Sequence, residues 1–345
     1  MTEASGVAAR RRSSVEPAMV DPLWQREALG HQRSLRVLGR RLELRSTEAE
    51  GLALASARFG RFESLAVGSA AIHMDLVLPP GGWTAEDASA AAAQPADGAC
   101  LTRHRERESR YVASAGPSLV LADLERREIC AFVEPSTPQT LVGEVILASP
   151  VWRCLAWEGL VALHAATIRL RGRTLVLIGG SGAGKSTLAL AAALAGAQVL
   201  CEEVTWLDAA VGEPVLRGEP WHVGIDARRI DRHFERFRLG TMRPDASPEK
   251  TVIELASLAP DAGIEVCPIG PIVFLDRQSR DGPADLVPLP VAVARHRFES
   301  GLGAGERSQR ASRLSAAFDR LAQQGAHRLR FRNPSEALDL LERLT

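Results

Sequence analysis

The chain has 345 residues, enough for one large or two ordinary domains, and 46% of them are hydrophobic, enough for a sizeable core. Basic and acidic residues number 42 each, so no net charge draws the chain toward nucleic acid or an anionic membrane. The five cysteines are scattered without a C-x-x-C pair, which favours reduced thiols in the cytoplasm over a disulfide framework or a zinc site. We find neither a signal-peptide pattern nor an apolar run long enough to span a membrane, so a cytoplasmic protein is expected.

The N-terminal part of the chain predicts a small module without an evident catalytic constellation. Residues 1–34 are polar and are predicted to be disordered or frayed. Residues 35–135 are predicted to form a small, mostly β module, because they contain short strand-like runs at 35–44, 72–78, 118–122 and 128–133. The segment 81–98, rich in alanine, glycine and aspartate, is typical of a surface loop.

Residues 136–345 mix helical and strand-like patterns, which predicts an α/β domain. Apolar residues at helical spacing predict a helix over 138–161, followed by a strand over 163–170. Arg171, Gly172 and Arg173 form a predicted tight turn into a second apolar strand, 174–178, so these two strands should form a hairpin. In an ordinary Rossmann-type fold the second strand would instead follow a helical crossover.

Further elements are predicted toward the C-terminus. They are strands at 198–201, 251–255, 272–275 and 328–331, a turn at 206–208, a polar loop at 242–250, and helices at 226–239, 292–298, 306–323 and 334–344.

A phosphate-binding motif follows the strand at 174–178 and precedes an alanine- and leucine-rich helix. It comprises Gly179, Gly180, Ser181, Gly182, Ala183, Gly184, Lys185, Ser186 and Thr187, and it fits G-x-x-x-x-G-K-[ST]. Its backbone N–H groups and the helix start would hold phosphate, Lys185 would reach the β- and γ-phosphates, and the Ser186 hydroxyl would ligate Mg²⁺. Because Lys250 is the only other lysine, the lysine at 185 indicates a need for a primary ammonium there. The motif predicts ATP and Mg²⁺ as ligands.

Acidic residues and a histidine lie near this motif in the sequence. Glu202 and Glu203 end the strand at 198–201, where a metal ligand or a base would lie beside bound phosphates; a solvated strand end is the alternative. His164, taken alone, is most simply a structural histidine. Asp276 ends the apolar run 271–276 and is a rival acidic residue, of the kind found in an ordinary P-loop ATPase, unless it is an exposed strand end.

These elements together resemble a known family. His164, the glycine-rich motif and the Glu202-Glu203 pair occur in the order and at the intervals seen in the catalytic domain of HPr kinase/phosphorylase and the HPr-kinase-related proteins. The resemblance covers residues 163–208. It departs from the family pattern in having Glu-Glu where Asp-Asp or Asp-Glu is usual, and Thr187 where the family often has glutamate.

The resemblance implies a P-loop kinase domain of the HPr kinase/phosphoenolpyruvate carboxykinase-like type, spanning residues 136–345. It implies that Glu202 is the general base, that Glu203 and Ser186 hold Mg²⁺, and that His164 orients the acidic pair. With Lys185, these residues make up the predicted catalytic and metal-binding set.

The function expected from the resemblance is ATP- and Mg²⁺-dependent transfer of the γ-phosphate to a serine-type hydroxyl of a peptide or small protein. The predicted partners are a nucleotide and this acceptor, with neither nucleic acid nor membrane; a homo-oligomer is left open. One alternative is a P-loop ATPase or nucleotide switch that acts on a protein partner without phosphorylating it. Another is a nucleotide-binding module that has lost catalysis.

Overall fold

The computed structural model describes residues 28–62, 71–79, 102–107, 109–209, 212–234, 239, 242–244, 250–277, 283–300 and 311–344. Within these ranges the chain forms four β-sheets and a set of helices, a mixed α/β architecture. The predicted loop at 81–98 and the predicted frayed tail up to residue 27 lie outside the described residues. Across the described ranges, every helix is too short or too polar to cross a membrane.

The first sheet has seven strands and comes from the N-terminal part of the chain. Its strands are β1 (His31–Val37), β2 (Arg40–Ser46), β3 (Ala71–Val77), β4 (Thr102–Arg107), β5 (Arg110–Ala115), β6 (Ser118–Asp123) and β7 (Glu128–Phe132). Their spatial order is β1-β2-β3-β7-β6-β5-β4, with β3 parallel to both β2 and β7.

Two expectations for this region are corrected by the first sheet. The run predicted as one strand over 35–44 is a hairpin, because Leu38 and Gly39 both adopt positive φ angles, 48° and 75°, and reverse the chain between β1 and β2. In addition, β1 begins at His31, inside the segment predicted to be frayed, since pairing with β2 satisfies its backbone groups.

Helical segments pack against the seven-stranded sheet and complete its core. They are α1 (Ala49–Phe59), α2 (Gln139–Leu141), a π-helix (Val142–Ala148) and α3 (Ser149–Trp157). Buried side chains such as Phe59, Tyr111 and Ile146 join the sheet and these helices into one hydrophobic cluster. Trp206, from the C-terminal part of the chain, belongs to the same cluster, so the packing continues across the domain boundary predicted at residue 136.

The remaining strands form three further sheets. They are β8 (Val161–Leu163), β9 (Ala165–Leu170), β10 (Arg173–Ile178), β11 (Gln198–Cys201), β12 (Thr205–Asp208), β13 (Val215–Arg217), β14 (His222–Asp226), β15 (Met242–Pro244), β16 (Lys250–Glu254), β17 (Val266–Pro268), β18 (Ile272–Arg277), β19 (Asp285–Pro288) and β20 (Ala326–Phe331). The six-stranded sheet has the order β11-β9-β10-β18-β20-β19, the four-stranded sheet β17-β13-β12-β8, and the three-stranded sheet β14-β16-β15.

Helices cover the six-stranded sheet with two hydrophobic clusters. They are α4 (Lys185–Leu194), α5 (Ala227–Phe234), α6 (Val291–Ser300), α7 (Ala311–Ala322) and α8 (Pro334–Leu341). Side chains of α4 and α8 share one cluster with the sheet and with β14 and β16. Side chains of α6 and α7, such as Phe298 and Phe318, form the other cluster. The sheet is therefore buried between helical layers, and β10, which leads into the phosphate motif, lies within it.

The predicted hairpin before the phosphate motif is confirmed. β9 and β10 pair antiparallel, and Arg171 and Gly172 adopt positive φ angles of 47° and 84° at the two-residue turn. On its other side β10 pairs parallel with β18, so the strand lies between an antiparallel and a parallel neighbour.

Three predicted elements differ from the structure. The strand predicted over 163–170 is interrupted by a bend at His164, which separates β8 from β9. The turn predicted at 206–208 is wrong, because Trp206 and Asp208 belong to β12 and pair with β13. The loop predicted over 242–250 begins and ends in strand, since Met242 and Lys250 start β15 and β16.

A buried ionic cluster connects the first sheet to the four-stranded sheet. Arg40 of β2 donates through both terminal nitrogens to the two carboxylate oxygens of Asp208, each at 3.1 Å. Arg217 of β13 donates to the same carboxylate at 2.9 Å, and Arg40 Nε donates to Glu158 at 3.2 Å. Because Asp208 is only 3% exposed, the carboxylate depends on these donors for its charge compensation.

The pKa of Asp208 reflects this cluster. Burial would raise the pKa of this carboxyl, but hydrogen bonds and charge from Arg40 and Arg217 outweigh burial and hold it below the ordinary value of 3.8. A depressed pKa in the folded state means that the ion pair stabilises the fold above the unfolded-state pKa, and that this contribution is lost as the pH falls through the folded-state pKa.

We expect Asp208→Ala to lower the free energy of unfolding by about 3–5 kcal/mol at neutral pH, because it leaves two buried guanidinium groups without their shared carboxylate. The matched control is Asp75→Ala, which removes the partner of the half-exposed Arg45 and should cost no more than about 1 kcal/mol. Urea unfolding followed by circular dichroism measures both changes. Equal losses in the two variants would contradict the role assigned to Asp208.

Candidate functional site

The glycine-rich segment at residues 179–184 forms the loop between β10 and α4. Gly182 and Gly184 adopt positive φ angles of 78° and 104°, which L-residues with a side chain rarely adopt. A Cβ atom at Gly179 would lie 2.7 Å from the Cβ of Ala183, and one at Gly184 would lie 3.0 Å from the Phe331 ring. The glycines thus permit a tight loop that turns its backbone toward the start of α4, where N–H groups and the helix dipole favour an anion.

Lys185 is the first residue of α4, and its side chain contacts the start of the glycine-rich loop. Its Nζ donates to the carbonyl oxygen of Gly179 at 2.6 Å and lies 3.1 Å from Nε2 of His164. Burial lowers the pKa of Lys185, while the charges of Glu202 and Glu203 oppose that shift. A largely buried ammonium held by neutral acceptors is suited to meet an incoming phosphate.

Glu202 lies against the next residue of the motif. Its carboxylate accepts a hydrogen bond from the Ser186 hydroxyl, and Oε1 accepts from the backbone N–H of Gly224 at 3.0 Å. Burial raises the pKa of Glu202 above its ordinary value of 4.5, although these two hydrogen bonds oppose the shift. A carboxyl group of this kind, beside an anion-binding loop, has the environment of a proton acceptor or of a metal ligand.

A cavity of about 360 Å³ lies at the junction of these groups. It brings together most of the residues predicted from the sequence: His164, Gly180, Ser181, Gly182, Gly184, Lys185, Ser186, Thr187, Glu202 and Glu203. Gly179 and Ala183 belong to the loop without lining the cavity among the described residues. The sequence-predicted groups therefore share one location, with His164 contacting Lys185 and Glu202 contacting Ser186.

Other lining residues are not among the predicted catalytic, nucleotide-binding and metal-binding residues. Asp226 and Arg229 lie on the cavity wall at the junction of β14 and α5, and Lys250 lies on it at the start of β16, where its charge lowers the pKa of Glu202. The guanidinium of Arg229 is 4.0 Å from the position that a Cβ atom on Gly182 would occupy. Arg229 thus adds a cation next to the loop, but no spacing relative to the motif distinguishes it from the other arginines of α5.

Asp276, the rival acidic residue, lies elsewhere. It is on β18, the parallel neighbour of β10, and its carboxylate is 3.8 Å from Arg297 of α6. Its side chain is 45% exposed, and it is not one of the described residues that line the cavity. The acidic pair at 202–203, not Asp276, faces the glycine-rich loop.

Comparisons with known proteins add only a weak similarity to solved structures. No protein-family model matches the chain, and no curated protein matches it. Among solved structures, the HPr(Ser) kinase/phosphatase from Coxiella burnetii matches over 53% of this chain and 89% of its own, with 13% sequence identity and a TM-score of 0.30. Values this low establish no family membership, so the function rests on the geometry of this chain's own residues.

We expect Gly184→Ala to weaken binding of ATP with Mg²⁺ by at least about tenfold, because a side chain at this positive φ costs about 1–3 kcal/mol and meets Phe331. Gly172→Ala is the control, since it places the same substitution at a positive φ of 84° in the β9–β10 turn, outside the cavity lining. Isothermal calorimetry measures both affinities, with thermal unfolding to confirm the fold. The same loss in both variants would show that the loop geometry is not what binds the nucleotide.

Proposed function

We propose that this protein is an ATP- and Mg²⁺-dependent kinase that transfers the γ-phosphate to a serine-type hydroxyl of a peptide or small protein. The observation that carries the proposal is that Lys185, Ser186 and the Glu202-Glu203 pair line one cavity with the glycine-rich loop. The carboxylate pair lies at the bend after β11 and the motif leads into α4, so the fold brings the two together in this cavity. Phosphoryl transfer needs a phosphate cradle, a metal site and a proton acceptor in this relation.

The donor set fits Mg²⁺. The Ser186 hydroxyl and the carboxylates of Glu202 and Glu203 are hard oxygen donors, the type that Mg²⁺ prefers in phosphate-binding sites. We assign Ser186 and Glu203 as its protein ligands. When bound, the ion neutralises charge that develops on the phosphate oxygens.

Glu202 is proposed to accept the proton of the acceptor hydroxyl. Its elevated pKa brings it closer to the range in which a carboxylate acts as a base. The acceptor oxygen forms a bond to the γ-phosphorus, the bond from that phosphorus to the bridging oxygen breaks, and ADP leaves. Lys185 and the backbone N–H groups of the loop would hold the β- and γ-phosphates, and His164 contacts the Lys185 ammonium.

A P-loop ATPase or nucleotide switch is the second candidate. It is favoured by the parallel pairing of β10 with β18, which places Asp276 at the end of the neighbouring strand, as in ordinary P-loop NTPases. The contact of Asp276 with Arg297 and the orientation of Glu202 toward Ser186 argue against it. Phosphate appearing only as inorganic phosphate when a protein partner is added would select this candidate.

We expect Lys185→Met to abolish measurable ATP–Mg²⁺ binding while the protein stays folded. The substitution keeps the aliphatic stem and removes the ammonium that meets the phosphates. Lys250→Met is the matched control, because Lys250 is exposed at the cavity wall and should contribute only a few-fold. Calorimetric titration gives both affinities; a wild-type protein that binds no nucleotide at millimolar concentration would refute the proposal.

We expect Glu202→Gln to lower kcat by about 10² to 10⁴ with little change in ATP affinity, because it removes the base. The wild-type rate should fall at acid pH, where Glu202 becomes protonated, and the variant should lack this limb. Glu203→Gln should instead raise the Mg²⁺ concentration needed for half-maximal rate. The assay is transfer of labelled phosphate from ATP to serine peptides.

Asp276→Asn is the control for both carboxylate variants, with a rate expected to stay within about tenfold of wild type. If Glu202→Gln raises the Mg²⁺ requirement and Glu203→Gln removes the acidic limb of the pH profile, the two roles are exchanged. A dominant effect of Asp276→Asn would favour the ATPase.

A further inference from the structure

A second cavity adjoins the nucleotide cavity on the other side of the acidic pair. Its volume is about 440 Å³, and Glu202 and Glu203 line both cavities. The remaining walls do not include the glycine-rich loop; they come from Trp152 on α3, the loop around Trp221, and the end of α1. The acidic pair therefore stands between a phosphate site and a separate space of the size that small ligands occupy, about 300–1,000 Å³.

The N-terminal part of the chain supplies one wall of this second cavity. Ala57 and Arg58 lie on the last turn of α1, and Arg61 follows that helix. Arg58 donates to Glu219 at 3.0 Å and stacks over Trp152 at 5.3 Å, whereas Arg61 donates to Glu254 at 2.7 Å. These contacts connect α1 to the half of the chain that contains the phosphate loop.

The charges that line the second cavity do not favour an anionic occupant. Four glutamates and two arginines line it, and each arginine already has a carboxylate partner. With two of the glutamates beside bound Mg²⁺, the remaining charges cancel. A phosphorylated metabolite or an acidic peptide would find no surplus of positive charge there.

Apolar surface is also available in the second cavity. Trp221 and Trp152 line it, and Val204, next to the acidic pair, is 37% exposed. Aromatic and aliphatic side chains beside a polar group are typical of sites that hold an apolar side chain next to a reacting one. The side chain of Arg61 at the edge is 43% exposed, so the cavity opens to the surface, where a main chain can enter and leave.

We propose that the second cavity is the acceptor site, and that it binds a peptide segment whose hydroxyl side chain reaches Glu202 while an uncharged, apolar neighbour packs on Trp221. This inference rests on the proposed kinase function, and it specifies the class of acceptor and the cavity that binds it. It gives the N-terminal sheet and α1 a role in selecting the acceptor. Glu202 is then the group shared by both substrates, as in-line transfer between them requires.

The test fills the second cavity from α1 without altering the nucleotide cavity. Ala57→Trp places an indole in the cavity from an exposed helix position, and Ala53→Trp makes the same change one turn earlier, outside the lining. The probe is a library of serine-containing peptides with randomised flanking residues, phosphorylated with labelled ATP and mapped by mass spectrometry. ATP–Mg²⁺ affinity is measured on the same samples.

We expect wild type to select peptides with apolar, non-acidic neighbours of the serine. Ala57→Trp should raise the KM for the selected peptides by at least about tenfold with ATP affinity unchanged, because it removes acceptor binding alone. Ala53→Trp should stay within about twofold of wild type.

Several outcomes would overturn the inference. If Ala57→Trp phosphorylates the selected peptides like wild type, the second cavity is not the acceptor site, while the kinase proposal stands. If wild type selects acidic flanks, or phosphorylates free hydroxy compounds in place of peptides, the assigned substrate class is wrong. If wild type binds ATP and phosphorylates no peptide at all, the kinase proposal itself fails and the acceptor site with it.

Discussion

Two paired segments of the chain each bend between the four-stranded and the six-stranded sheet, and the position of these bends determines where the candidate site lies. β9 pairs with β11 in the six-stranded sheet, and β8 pairs with β12 in the four-stranded sheet. The chain therefore passes from the four-stranded sheet to the six-stranded sheet at His164, and passes back at residues 202–204. The two bends lie side by side, because Leu163 pairs with Thr205 immediately beyond them. Side chains along a strand point alternately to the two faces of the sheet, but residues at a bend do not follow this pattern, so their side chains can point toward α4.

Buried hydroxyl groups hold this bend in place. The Thr205 hydroxyl donates to the carbonyl oxygen of Ala165 at 3.0 Å. Because its one hydrogen is used there, the Thr167 hydroxyl, 2.8 Å away, donates to the Thr205 oxygen. The Cys201 thiol lies 3.0 Å from the same Thr205 oxygen. These groups are buried, so the polar atoms must satisfy one another, and a different path of either strand would leave them without partners. The positions of the acidic pair and of His164 thus follow from local hydrogen bonding and not from their own contacts alone.

Sequence patterns predict what is local in this structure. The hairpin around Arg171 and Gly172 and the loop before Lys185 have short-range signals, namely a turn dipeptide between apolar runs and a motif between a strand and a helix. The strand that ends at Asp208 has no such signal, because a charged residue after a short apolar run is typical of a turn. Its burial depends on Arg40, 168 residues away in the chain, and sequence patterns do not report such long-range compensation. The same holds for Arg229, which reaches the cavity through the placement of α5.

The ionic cluster and the acidic pair occupy opposite ends of one short strand. β12 starts directly after the bend at residues 202–204 and ends at Asp208, whose carboxylate is held by Arg40 from the seven-stranded sheet. The same sheet carries α1, whose last turn forms a wall of the second cavity. A shift of the N-terminal sheet would therefore move two parts of the structure. One is the Asp208 end of β12, the strand that follows the acidic pair, and the other is the wall of the second cavity that α1 forms. The N-terminal part of the chain is for this reason a structural component of the candidate site, and residues 136–345 alone would lack both this wall and the contact of Arg40 with β12.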